Sequence, residues 1–218
     1  NEIEEHLIFM SVLSQYVAVR RAHDLITAQG ESPGLLCALV RGYTNLGHLS
    51  NHHWTAAPEA FTARALLYAQ RLVVKYPNDA AAHWHQAYAY GIAGRPDQAQ
   101  PAIERARALD GDEADPAWAR VLELTIHSQA EQLLDLIHEE DNPHTSLAAV
   151  MAVYLRALGH RDSVVVDALK EAGRHAPVCM RLISSASEHA GISIKHRTTV
   201  HGPMVFTAFT LDDLASLE

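Results

Sequence analysis

Apolar residues recur along this chain at the spacing of one helix face, segment after segment, with Gly or Pro between the segments. The clearest pair lies in Ala80 to Glu113. From Ala80 to Ile92 the residues are mostly Ala, aromatic or Ile, good helix formers in sum. Asp79 stands where an N-cap carboxylate accepts an orphan N–H. Gly94 suits the left-handed residue that ends a helix, and Pro96 and Asp97 suit the first turn of the next. There Ala99, Ala102, Ile103, Ala106 and Leu109 make one apolar stripe. The spacing predicts a helical hairpin, which needs neighbours to bury its stripe.

Elsewhere the same pattern is looser. Glu2 to Ala28 reads as one long leading helix, acidic at its start and with Arg20 and Arg21 nearer its end. Gly30 to Pro33 ends it. Pro33 to Leu46 follows, with Leu36, Leu39, Val40 and Tyr43 as its stripe and Gly47 as its turn glycine. Residues 48–57 read as an insertion. Pro58 to Tyr76 is strongly amphipathic through Phe61, Ala65, Tyr68, Ala69, Leu72 and Val73. Ala114 to Asn142 reads as an imperfect pair or as one long helix, because no glycine marks a turn near Ser128–Gln129. Ser146 to Leu158 is another helix, with Gly159 to Asp162 as its turn. Val165, Leu169 and Ala172 mark the next, and Val178 to His189 starts a further one. Residues 192–218 read two ways. Ile192 to Val200 alternates as a strand does, and Met204 to Thr210 would pair with it. Pro203, Phe206, Phe209, Leu214 and Leu217 suit a last helix, which fits an α-repeat chain better.

Ala80 to Glu113 resembles the tetratricopeptide (TPR) repeat, a helix–turn–helix unit of about 34 residues. The family's small eighth residue falls on Ala87, its aromatic eleventh on Tyr90 and its turn glycine on Gly94. The second helix matches at Ala99, Ile103 and Ala106. Two positions depart: His83 stands for the usual Trp, and Gly111 for the closing Pro. Trp118 follows Trp84 by one repeat length. The resemblance implies an all-α fold, a right-handed α-solenoid of stacked antiparallel helix pairs. Residues 1–32 would lead as a cap or half-repeat, 33–191 would form the repeats, and 192–218 would close the chain.

Composition narrows the partners. The net charge is −9, which disfavours a broad nucleic-acid or anionic-membrane surface. There is no apolar run long enough for a membrane span. Three lysines against so many arginines, with abundant Ala, is the pattern of a GC-rich bacterial coding bias. Two cysteines, Cys37 and Cys179, make no disulfide framework and read as buried thiols. No signal peptide is visible, which favours the cytoplasm. The start at Asn1 rather than Met leaves a fragment, or a product whose export signal has been removed, open.

No catalytic motif appears. There is no GxSxG elbow, no phosphate-cradling Gly-rich loop and no HExxH, so neither an enzyme nor a cofactor is expected. In TPR units the fifth and ninth residues of the first helix face the concave groove. The resemblance puts Trp84 and Tyr88 there, with His85 beside them, Trp118 one repeat on, and Cys37 and Arg41 one repeat back. Ala149 and Val153 take these places near Gly159. Aromatics and Arg are the residues that dominate binding hot spots, so the groove implies a protein or peptide partner. The chaperone-binding TPR subgroup grips a C-terminal carboxylate with Lys and Asn in this groove; those types are missing here. The alternative for Trp84 and Trp118 is burial between repeats. A second reading uses the His-rich insertion: His48 and His52 share a face if 48–54 is helical and, with His53, are metal-ligand types. In that reading the chain is a metal-binding or enzymatic helical-repeat protein in which several of His48, His52, His53, His83 and His85 converge within ligand distance. A third makes the chain a stretch of a longer solenoid with no site of its own.

Overall fold

The computed structural model describes residues 2–51, 55–111, 114–137 and 143–159. Readings that fall on 52–54 or beyond 159 lie outside the described residues. These include His52, His53, Cys179, the Val165 and Val178 helices and the strand-or-helix choice at 192–218. Within the described residues every regular element is an α-helix. They are α1 (Glu2–Ile8), α2 (Val12–Gln29), α3 (Pro33–Leu49), α4 (Ala57–Lys75), α5 (Ala80–Ile92), α6 (Pro96–Asp110), α7 (Ala119–Ile126), α8 (Ala130–Ile137) and α9 (Thr145–Gly159).

The expected boundaries at α5 and α6 hold, and for the expected reasons. Asp79 accepts from the Ala81 N–H at 3.0 Å. Gly94 has φ of 73°, and Pro96 opens α6. Ser32 caps α3 in the same way, ahead of Pro33.

Two expectations need correction. The leading helix is two helices. Ser11 caps α2, accepting from Ser14, and the buried Gln15 side chain donates to the carbonyls of His6, Leu7 and Phe9 at 3.2, 3.1 and 2.8 Å. Carbonyls that a continuous helix would pair internally are held instead by one side chain. Next, Gly47 is no turn residue; α3 continues to Leu49 and takes His48 with it. A Cβ at Gly47 would lie 2.6 Å from Thr62 Oγ1 and 3.3 Å from the Pro58 carbonyl, so α4 crosses α3 at van der Waals contact. Between Ala114 and Ile137 the reading as a pair holds over that of one long helix. Ser128, with φ of 57°, takes the left-handed position between α7 and α8 that glycine usually fills.

Consecutive helices pack from α1 to α6 and again from α7 to α9, and the odd-numbered helices also touch in series, α1 to α3, α5, α7 and α9. α3 is covered almost all round, with its residues from Leu35 to Gly47 buried. One cluster joins α1–α4 through Ile3, Leu7, Val19, Leu39, Tyr43 and Leu46. Another joins α3–α5 through Leu36, Val40, Leu72 and Ala89. The third runs from α5 to α9 around Trp84, Ile103, Trp118, Leu122, Leu136 and Met151. Among the described residues no helix is long and apolar enough to cross a membrane.

Two substitutions test this account. Gly47→Ala gains helix propensity but forces α4 off α3; it should lower stability by about 1–3 kcal/mol, read from urea unfolding. Gln15→Leu strands the His6 and Leu7 carbonyls, while Phe9 keeps the Ser11 N–H, and should cost about 2–3 kcal/mol. An unchanged melting temperature in that variant would show that solvent, rather than Gln15, satisfies the break.

Candidate functional site

Arg41 enters the interior from the middle of α3, where it is 5% exposed. A guanidinium so far from water needs replacement charge. Glu4, on α1, supplies it: both carboxylate oxygens accept from Arg41 Nη1, at 2.7 and 2.9 Å. The Trp118 ring lies 5.9 Å from the guanidinium carbon, within cation–π range. Arg41 Nε is buried and has no hydrogen-bond partner.

Trp118 is the hub of the residues that sequence reasoning singled out. Its ring meets those of Trp84, His85 and Tyr88 at 6.2, 5.3 and 5.0 Å between centroids, all edge to face. Arg41, Trp84, His85, Tyr88 and Trp118 therefore come together. They do not form an exposed aromatic groove: Trp84 and Tyr88 are each 1% exposed and Trp118 is buried too. The Trp84 indole donates to Asp110 at 2.9 Å, and Arg107 lies over its ring while pairing with Asp115 and Glu123. The Tyr88 hydroxyl donates to Asn45 at 2.6 Å, and Asn45 Nδ2 donates to Gln15 at 2.9 Å. The burial alternative thus holds for the aromatics. Among the remaining positions, Ala149 is buried and the Val153 side chain lies outside the described residues.

What stays open is a cleft of about 560 Å³ beside this cluster. Gly34, Cys37, Ala38 and Arg41 line it from α3, Ala81 and His85 from α5, and Ile3, Glu4 and Leu7 from α1. The first four recur at helical spacing, so one stripe of α3 faces the cleft. Two of the five singled-out residues, Arg41 and His85, are thus at the cleft as well as at the cluster.

The thiol and the imidazoles here are held in neutral forms. Burial pushes the Cys37 thiol up to about 12, with the Asp79 charge adding and Arg41 opposing. Burial and then the Arg41 charge bring His85 down to about 4; its Nδ1 donates to the Ala81 carbonyl at 2.7 Å. Burial and Arg41 likewise lower His144, with Glu4 opposing. A reactive thiol needs the opposite arrangement, a lowered thiol beside a charged imidazole.

The His-rich reading is only partly visible. His48 ends α3 with its ring 4.7 Å from that of Tyr154 on α9. It lines a second cavity, of about 530 Å³, with Glu59, Thr62 and Arg95. His83 is turned away, at 2.9 Å from the Pro77 carbonyl. Among the described residues no group of three or more His, Cys, Asp or Glu is placed to hold a metal ion.

Sequence reasoning missed Glu4, Gln15 and Asn45. A signal existed for Asn45, a polar residue inside an otherwise apolar helix. Glu4 carried none, being one of three acidic residues in a first turn.

The His85 environment gives a pH dependence. Its pKa is lower folded than unfolded, so the unfolded chain binds more protons between about pH 6.5 and 4. Stability is full above that window and falls as pH drops through it. The melting temperature should fall from pH 7 to pH 5, and His85→Gln should flatten part of that fall; equal slopes would remove His85 as the cause. Comparison with protein-family models, curated proteins and solved structures finds no match to the chain.

Proposed function

We propose that the chain is a protein-interaction module. In this reading it is a right-handed, TPR-like solenoid of stacked antiparallel helix pairs that holds a peptide segment or helix in the cleft between α1, α3 and α5. One observation carries the reading. The cleft is lined by one stripe from each of two helices, Gly34, Cys37, Ala38 and Arg41 on α3 and Ala81 and His85 on α5. Those are the helices whose inner faces form the concave surface of stacked hairpins. Series contact among the odd-numbered helices supports the same stacking.

The lining suits a peptide more than a reaction. Apolar walls from Leu25 and Leu35 accept side chains, while Arg41, Gln29 and Ser32 supply polar contacts. The thiol and the imidazole in the cleft are held in forms that oppose nucleophilic catalysis. Binding determinants accordingly move from Trp84, Tyr88 and Trp118 to the cleft stripe.

The test fills the cleft without touching the core. A Cβ at Gly34 meets nothing within 4 Å, and Ala81 is exposed in the first turn of α5. Gly34→Trp and Ala81→Trp should each melt within a few degrees of wild type. Both should lose, by about tenfold or more, the protein that wild type captures from its native lysate. Leu67→Ala, on the exposed face of α4, should retain it. Equal capture by wild type and both filled variants would place binding elsewhere, and no capture by wild type would remove the support for a stable partner.

A further inference from the structure

We propose that α1 is a detachable cover on this cleft and that the Glu4–Arg41 pair is its latch. The inference rests on the cleft being the binding surface and adds how access to it is controlled. α1 has seven residues, too few to stay helical alone in water. Its order comes from Ile3 and Leu7, buried in the cluster with α2 and α3, and from Glu4 on Arg41.

The two ends of α1 are held differently. At its C-terminal end Gln15 grips the carbonyls of His6, Leu7 and Phe9, so the Phe9–Ser11 break is a pinned pivot. At its N-terminal end Glu2 faces Arg21 at 3.5 Å, with both side chains about half exposed or more. Such a pair holds little in water. Glu4 lies between. Its side chain is 45% exposed, whereas that of Arg41 is 7% exposed. The latch is therefore one-sided: Glu4 regains water easily when α1 swings about the pivot, and Arg41 stays on the cleft wall. The same swing withdraws Ile3 and Glu4 from the cleft lining, while Leu7 stays at the pinned end. An incoming segment then finds apolar space and a guanidinium that has lost its partner. Short elements with few buried residues are the ones that open below the global unfolding energy.

Hydrogen exchange on the unliganded full chain tests this. Glu4→Gln keeps the side chain's size and a carbonyl acceptor but removes the charge that makes the pair strong. Amides of residues 5–8 should exchange about tenfold faster in this variant, while those of residues 38–46 keep wild-type rates. Glu2→Gln should stay within about twofold of wild type. Unchanged rates in Glu4→Gln overturn the latch. Equal acceleration in α1 and α3 also overturns it, since that marks general destabilisation. The filled-cleft variants probe the binding surface separately, so loss of either conclusion leaves the other measurable.

Discussion

A guanidinium removed from water forces its surroundings to compensate, and Arg41 imposes that on the helices around it. Its position at the centre of α3 is fixed by apolar residues on every side, from Leu36 and Val40 to Tyr43 and Leu46. The helix cannot turn the side chain out without exposing its own core. Compensation therefore comes from other elements: a carboxylate from α1, and an aromatic face from Trp118 ahead of α7. His85 and His144 respond to burial and to the same charge by staying neutral. Breaking such a buried pair from one side costs about 3–5 kcal/mol in general. The half-exposed carboxylate here lies toward the lower end of that range or beneath it.

The polar chain from Tyr88 through Asn45 to Gln15 is the second constraint, and it explains a boundary that propensity did not. Each member gives its hydrogen to the next: hydroxyl to amide carbonyl, amide to amide, amide to backbone. The series starts in α5, crosses α3 and ends on the carbonyls where α1 stops. A buried polar series of this kind holds only if every member is satisfied. Gln15 needs acceptors, and the interrupted helix offers three. The break at Phe9–Ser11 and the buried Asn45 are thus two ends of one requirement, and together they set where α1 lies over α3.

How much of this could be read in the residues depended on how local the cause was. Asp79, Gly94 and Pro96 act within a few residues, and the α5–α6 boundaries were legible from them. Gly47 has a distant cause, the passage of α4 at Thr62 and Pro58, so its helical place looked like a turn. Ser128 takes a backbone conformation that its residue type rarely signals. At the site, Arg41, Trp84, His85, Tyr88 and Trp118 could be singled out together and do lie together, although Trp118 stands at the start of α7 and not inside a helix as Trp84 does. Their direction was not legible. Trp and Tyr serve hot spots and cores through the same property, a large rigid apolar face with a polar edge. The polar edges decide it here: the Trp84 N–H and the Tyr88 O–H both find partners inside, on Asp110 and Asn45.

With the aromatics turned inward, the open strip of α3 and α5 carries small residues instead. Gly34, Ala38 and Ala81 leave room that larger side chains would close, and Arg41 and His85 mark the inner end of that room. The volume of the cleft follows from these small side chains, which leave the gap beside the buried cluster unfilled. α1 covers that gap with two apolar side chains and a carboxylate. Anything that replaced α1 there would have to present a similar mixture, apolar side chains flanking a group able to accept from Arg41.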